Sequence, residues 1–333
     1  METRWGWLRR WLWFSGRVRK VFGVVAAVLL SVAACSDEPA QVGSKPAPTT
    51  VSPSASPTPS VPSPPPPSGD GGLPRGGSVI FPTYQLVGYV GMPGSPALGP
   101  LDKDLDAKAA KLEKLSKSYA AGRTPQPVME LITVFAKGAP GKDGMYRGRQ
   151  PDAQIERYLT VARKHRMLLL LDIQPGRAKI MPEVKRLERW LKEPDVGLAF
   201  DPEWAVGPGQ VPGRVFGHTT GAELDGIASY LSGLVRANQL PEKVFVFHQL
   251  SPRIVSNEKA LKKHPGVVTI KSVDGIGARV DKLKTWAKLT ATLPPTVHAG
   301  FKLFYTEDTR HGPLMTPPQV MALKPRPEFV VYE

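Results

Sequence analysis

The chain has 333 residues, of which 36 are Pro, 32 are Gly and one is Cys, and its formal net charge is +15. At 41% hydrophobic residues it is too apolar to be disordered throughout, and a lone thiol excludes both an intramolecular disulfide framework and a cysteine-rich zinc fold. The basic excess is uneven, so each section of the chain has to be read separately.

Arg4, Arg9, Arg10, Arg17, Arg19 and Lys20 precede residue 21 with one acidic residue, Glu2, among them. Val21 to Ala34 is then uncharged and closes on small residues, Val32-Ala33-Ala34-Cys35. Basic start, apolar run and small-residue end make a signal-peptide layout. The apolar run alone is short of the about 20 residues that a membrane-spanning helix needs. Its Val-Ala-Ala-Cys ending resembles the lipobox of bacterial lipoprotein precursors. That resemblance implies lipidation of the Cys35 thiol, removal of residues 1–34 as signal peptide, and a protein held on the extracytoplasmic side of the cell membrane through lipid on Cys35. An uncleaved N-terminal anchor is the alternative, with the rest of the chain on the same side.

Residues 35–77 are Ser, Thr, Pro, Ala and Gly with hardly a large apolar side chain, and include Pro64-Pro65-Pro66-Pro67. Such a segment cannot bury a core. It is expected to be a disordered, partly polyproline II linker, rising about 3.1 Å per residue where extended, that displays the next domain away from the membrane.

From residue 78 to 333 short β-branched or Leu-rich runs alternate with amphipathic stretches. The runs are Gln85–Gly91, Val128–Ala136, Met167–Ile173, Val196–Phe200, Lys243–His248, Val267–Val273, Ala299–Tyr305 and Glu328–Tyr332. Helices are predicted over 103–120, 151–166, 181–193, 220–239, 257–264, 278–292 and 316–323. Runs such as Met167-Leu168-Leu169-Leu170-Leu171 read as strands buried on both faces, and strict alternation predicts a parallel sheet. Eight strands in a segment of this length predict an α/β fold, a (β/α)8 TIM-type barrel. The alternative is an open doubly wound parallel sheet.

Sites in such barrels form where strands end at the C-terminal face. Here those ends are polar: Asp172 and Gln174 after the third run, Asp201, Glu203 and Trp204 after the fourth, His248 and Gln249 at the fifth, Asp274 after the sixth, Tyr305 and Glu307 after the seventh. Residues two apart share a strand face, so Asp201 and Glu203 can project together. Two carboxyl groups, one protonated and one ionised, are what hydrolysis of a glycosidic bond requires.

A Glu after the fourth strand and another after the seventh resembles the large four/seven superfamily of barrel glycosidases. That resemblance implies Glu203 as general acid/base and Glu307 as nucleophile, although Pro202 stands where the superfamily usually has Asn. Asp201-x-Glu203 is also similar to the end of the fourth-strand motif of family-eighteen chitinases, which implies Glu203 as acid and Asp201 as the residue orienting a substrate acetamide. Gly197 and Ala199 occupy the places of that motif's other acids. The catalytic candidates are therefore Glu203, Glu307 and Asp201. Asp172, Gln174, Trp204, His248, Gln249, Asp274 and Tyr305 are the substrate-binding candidates.

The six His residues are scattered with no His-x-His, so no metal site is expected, and no motif calls for a cofactor. Eight of the 44 basic and four of the 29 acidic residues precede residue 77, so the remainder is still net basic. Outside the cytoplasm that charge suits an anionic cell-wall polymer or membrane surface rather than nucleic acid. The expected partners are thus the membrane and a glycan or wall polymer, with the protein a monomer. The function expected is either a glycoside hydrolase acting on an envelope or environmental glycan, or a non-catalytic glycan- or ligand-binding lipoprotein.

Overall fold

A computed structural model describes residues 71–333. The leader, Cys35 and the linker up to residue 70 lie outside the described residues.

Eight parallel strands form the barrel: β1 (Tyr84–Gly91), β2 (Thr124–Ala136), β3 (Leu168–Ile173), β4 (Val196–Phe200), β5 (Lys243–Gln249), β6 (Val267–Val273), β7 (His298–Leu303) and β8 (Phe329–Tyr332). Each pairs with its sequence neighbour, and β1 pairs with both β2 and β8, which closes the cylinder. The predicted (β/α)8 barrel is thus the observed fold, and the open-sheet alternative is excluded by the β1–β8 pairing, Leu86 to Phe329 through Tyr89 to Tyr332.

Alternation along the strands separates two cores. One set of positions, including Leu86, Val128, Leu168, Leu170, Val244, Val246, Ile270, Phe329 and Val331, fills the interior. The intervening set, including Met129, Leu131, Leu169, Leu171, Phe245 and Phe247, packs under the helices. This double burial is why the strands read as continuous apolar runs. Gly197 belongs to the crowded interior: a Cβ there would stand 2.6 Å from both Leu170 Cδ2 and the Val244 carbonyl. Leu73 and Ile80, ahead of β1, join the interior core, so the chain preceding the first strand is packed against the barrel.

The longer connections carry α1 (Leu105–Lys117), α2 (Asp152–Lys164), α3 (Ile180–Arg186), α4 (Glu188–Leu191), α5 (Gly221–Asn238), α6 (Arg279–Thr290) and α7 (Pro317–Met321). α5 starts on a true cap, with the Glu223 N–H donating to Thr220 Oγ1 at 3.1 Å. The helix predicted over 181–193 is two short helices parted at Leu187. The one predicted over 257–264 is only a single 3-10 turn, Glu258–Ala260. Asn257 is left-handed, Leu261 is already extended, and Glu258 is drawn to the buried Lys271 ammonium 2.5 Å away, so a helical turn cannot continue there.

Candidate functional site

The interior set of positions changes character toward the C-terminal ends of the strands. Continuing the two-residue period past the apolar layer gives Glu130 on β2, Asp172 on β3, Asp201 and Glu203 beyond β4, His248 on β5, Ser272 and Asp274 at the end of β6, Lys302 on β7 and Glu333 beyond β8. Most are buried: Glu130 and His248 are 0% exposed, Asp172 1% and Asp274 3%. In β2 the register shifts between Ile132 and Val134, and Thr133 Oγ1 at that bulge donates to the Asp172 carbonyl at 2.7 Å.

At the centre, His248 Nδ1 lies 2.8 Å from Asp274 Oδ2 and 3.8 Å from Asp201 Oδ1. Its Nε2 stands 3.0 Å from Glu130 Oε1, within ion-pair distance but off the line of a hydrogen bond, and neither atom has a hydrogen-bond partner among the described residues. Asp274 is held from three sides, by His248, by the Ser272 hydroxyl donating at 2.7 Å, and by Lys302 Nζ at 3.1 Å. Lys302 also reaches Glu333 Oε2 at 2.7 Å. Gln174 Nε2 donates to Asp201 Oδ2 at 2.9 Å. Both carboxylate oxygens of Asp172, Asp201 Oδ1 and Glu203 Oε2 are enclosed without a partner.

These neighbours set the charge states. Burial raises the Glu203 carboxyl well above the ordinary range, and the negative charges of Asp201 and Asp274 raise it further. Asp172 is raised in the same way, by burial and then by Asp201 and Glu130. For Asp274 burial is overcome by His248 and Lys302, which hold it well below the usual carboxylate range. Burial likewise opposes charge on His248, but the carboxylates of Asp274, Asp201 and Glu130 outweigh it and raise its pKa well above the ordinary value. The mouth therefore sets carboxyls whose pKa is raised beside one whose pKa is lowered, the combination that carboxyl acid catalysis uses.

Of the residues singled out from sequence, Asp172, Asp201, Glu203, His248 and Asp274 meet in this cluster, with Gln174 bonded to Asp201. Glu203 keeps partial contact with solvent in the turn Pro202–Trp204, and Trp204 beside it is half-buried. Tyr305 is 40% exposed, stacked on Tyr332 with ring centroids 5.1 Å apart and planes at 26°. Gln249 turns to its own loop, donating to the Ser251 carbonyl at 3.2 Å. Glu307 pairs with Arg310 at 3.4 Å, and the charges acting on it are those of Arg310 and Asp308 rather than of the central cluster.

Glu130, Lys302 and Glu333 are site residues that strand-end reasoning passes over. Glu130 and Lys302 were nevertheless visible as single charges inside apolar runs, Val128-Met129-Glu130-Leu131-Ile132 and Gly300-Phe301-Lys302-Leu303-Phe304, at positions that alternation points inward. In a strand buried on both faces such a charge needs a partner.

Two triads bring one donor atom each within 4.8 Å of one another: Asp172 with Asp201 and His248, and Asp201 with Glu203 and Asp274. Fold and site together define a (β/α)8 barrel with a buried acid cluster at its C-terminal mouth. No protein-family model and no curated protein matches the chain. Among solved structures, the alpha-galactosidase from Lactobacillus brevis is similar over 73% of this chain and 37% of its own, at 11% identity and a TM-score of 0.33. The chain spans little more than a third of that protein, and at this level the likeness speaks to neither activity nor substrate.

Proposed function

We propose that the protein is a lipid-anchored barrel, displayed outside the cytoplasm on a proline-rich tether, that cleaves glycosidic bonds in an envelope or environmental glycan. The observation that carries this reading is the position of Glu203, a partly exposed residue at the barrel mouth whose carboxyl group lies beside the carboxylates of Asp201 and Asp274. In the proposed reaction Glu203 donates its proton to the glycosidic oxygen as the bond to the sugar carbon breaks. Asp274, kept anionic by Lys302 and His248, faces the positive charge that develops on the sugar. Water then adds to that carbon, and its proton returns to Glu203. Trp204 and Tyr305 offer rings at the rim for the apolar faces of sugars. Cys35 carries the anchoring lipid, and the basic barrel surface adds attraction to anionic wall polymer.

A second reading, glycan binding without turnover, is favoured by the pairing of Glu307 with Arg310, a contact that engages one oxygen of the carboxylate the four/seven resemblance would make the nucleophile. A panel of chitin oligosaccharides and cell-wall glycan fragments separates the two. Turnover that falls about 10²- to 10⁴-fold in Glu203→Gln supports the hydrolase; turnover unchanged by that substitution removes Glu203 from the reaction. Saturable glycan binding without turnover supports the second reading. For the anchor, Cys35→Ala should abolish labelling by a fatty-acid analogue, and unchanged labelling would refute lipidation at that residue.

A further inference from the structure

Several buried acceptors of the mouth are met by no donor among the described residues. Six carboxyl groups, those of Glu130, Asp172, Asp201, Glu203, Asp274 and Glu333, stand around two basic side chains, Lys302 and His248. Lys302 is taken by Asp274 and Glu333, and His248 Nδ1 by Asp274. What remains lies around His248: both oxygens of Asp172, both of Glu130, Asp201 Oδ1 and His248 Nε2 are enclosed and have no hydrogen-bond partner among the described residues. Buried acceptors without a donor are costly, and several converging on one point amount to a site for a positive charge.

Three features narrow that charge to a metal ion. Asp172, Asp201 and His248 each place a donor atom within 4.8 Å of the others, and all three are buried. His248 is oriented by Asp274 through Nδ1, the carboxylate–histidine arrangement that fixes an imidazole for coordination by its other nitrogen. That nitrogen stands 3.0 Å from Glu130 Oε1 without hydrogen-bond alignment. Two atoms each about 2.1 Å from one ion and roughly at right angles to each other are separated by about 3 Å, so the spacing suits adjacent ligands as well as it fails as a hydrogen bond.

We propose that this pocket binds one divalent first-row transition-metal ion, Zn²⁺ or Mn²⁺, on Asp172, Asp201 and His248, with Glu130 as the fourth ligand, the ion taking the place of the His248 Nε2 proton, which is released to solvent. Mixed imidazole and carboxylate donors suit these ions better than Ca²⁺ or Mg²⁺, which favour sites built from oxygen alone. The ligands come from four neighbouring strands, β2 to β5, one from each strand or its end, so no close spacing of metal ligands announces them in the sequence. Glu203 is outside the ligand set, and Asp201 keeps Oδ2 on Gln174 while presenting Oδ1 to the ion. The inference is independent of the glycan reading.

The test uses the full-length protein stripped with chelator and titrated calorimetrically with ZnCl₂ and with MnCl₂. One ion per chain is expected, with affinity about 10- to 100-fold weaker in Asp172→Asn and unchanged in Asp225→Asn, an acid outside the mouth that pairs with His264. Absence of saturable binding of either ion, or binding indifferent to Asp172→Asn, overturns the proposal. Should Asp172→Asn fail to fold, anomalous diffraction from wild-type crystals soaked in MnCl₂ decides: a peak among Asp172, Asp201 and His248 supports the site, and a peak elsewhere or none overturns it.

Discussion

Lys302 Nζ lies 3.1 Å from Asp274 Oδ2, each side chain 4% exposed, and this contact joins the ends of β6 and β7 at the closed centre of the mouth. Lys302 extends the link to β8 through Glu333. Because the pair is buried, removing only the cation leaves Glu333 without its partner and Asp274 with His248 and Ser272 alone. Lys302→Met should therefore cost about 3–5 kcal/mol of stability, measured as a lowered chemical-denaturation midpoint. A midpoint within error of wild type would mean that the cluster does not depend on Lys302 for its charge balance.

At the opposite end of the barrel Lys243 is buried at the start of β5 and donates to the carbonyls of Glu193 at 3.0 Å and Val196 at 2.6 Å. Burial brings its pKa down to about 7, against the opposing pull of Asp195 and Glu193. The unfolded chain, with a lysine near its ordinary value of about 10.4, then binds more protons than the folded one between these two pKa values. Stability should rise with pH across that window, by at most about 1.4 kcal/mol per unit from this group, and lie on its lower plateau below it. Thermal melting from pH 6 to pH 10 should show that rise diminished in Lys243→Met. Equal slopes in the two proteins would show that Lys243 titrates normally.

The strands were legible because each is buried on both faces, which turns them into unbroken apolar runs between polar connections. The single failed helix, over 257–264, has the right composition but gives its Glu258 to Lys271, a partner distant in sequence. Asp172, Asp201, Glu203, His248 and Asp274 were visible as polar strand ends. Glu130 and Lys302 are not strand ends and stood out only as single charges inside apolar runs, which reasoning from strand ends ignores. The role of Glu307 in pairing with Arg310 is set by the 3-10 turn at Asp308–His311, a local geometry that a strand count does not contain.

Tyr305 presents an exposed ring at the rim, and its support comes from Tyr332 beneath it. Tyr332 is itself fixed by Tyr119, the two hydroxyls 2.5 Å apart. Tyr305→Ala removes a stacking contact worth about 0.5–1.5 kcal/mol, so the fold should lose little while affinity for a bound glycan falls. Tyr305→Phe keeps the ring and should keep both. Denaturation and glycan-binding isotherms on the two variants check this; an alanine variant that binds as tightly as wild type would take Tyr305 out of the binding surface.

Three loops of the mouth meet at Gly176. Its φ is +63°, and a Cβ there would stand 2.4 Å from the Met145 carbonyl oxygen and 2.6 Å from that of Tyr146. Beside it the Arg177 N–H donates to the Met145 carbonyl at 2.8 Å, and the Gly176 carbonyl accepts from the Val206 N–H at 2.9 Å. The chain after β3 is thereby tied to those after β2 and β4, the last of which presents Glu203. Gly176→Ala adds left-handed strain of about 1–3 kcal/mol and a backbone clash that no rotamer change relieves. The expected result is local: faster hydrogen exchange at the amides of Arg177 and Val206, with the Glu242 amide, which donates to the Ser78 carbonyl at 2.8 Å ahead of β5, exchanging as in wild type. Exchange accelerated equally at all three would mean that the substitution acts on global stability, and that Gly176 does not specifically hold the mouth together.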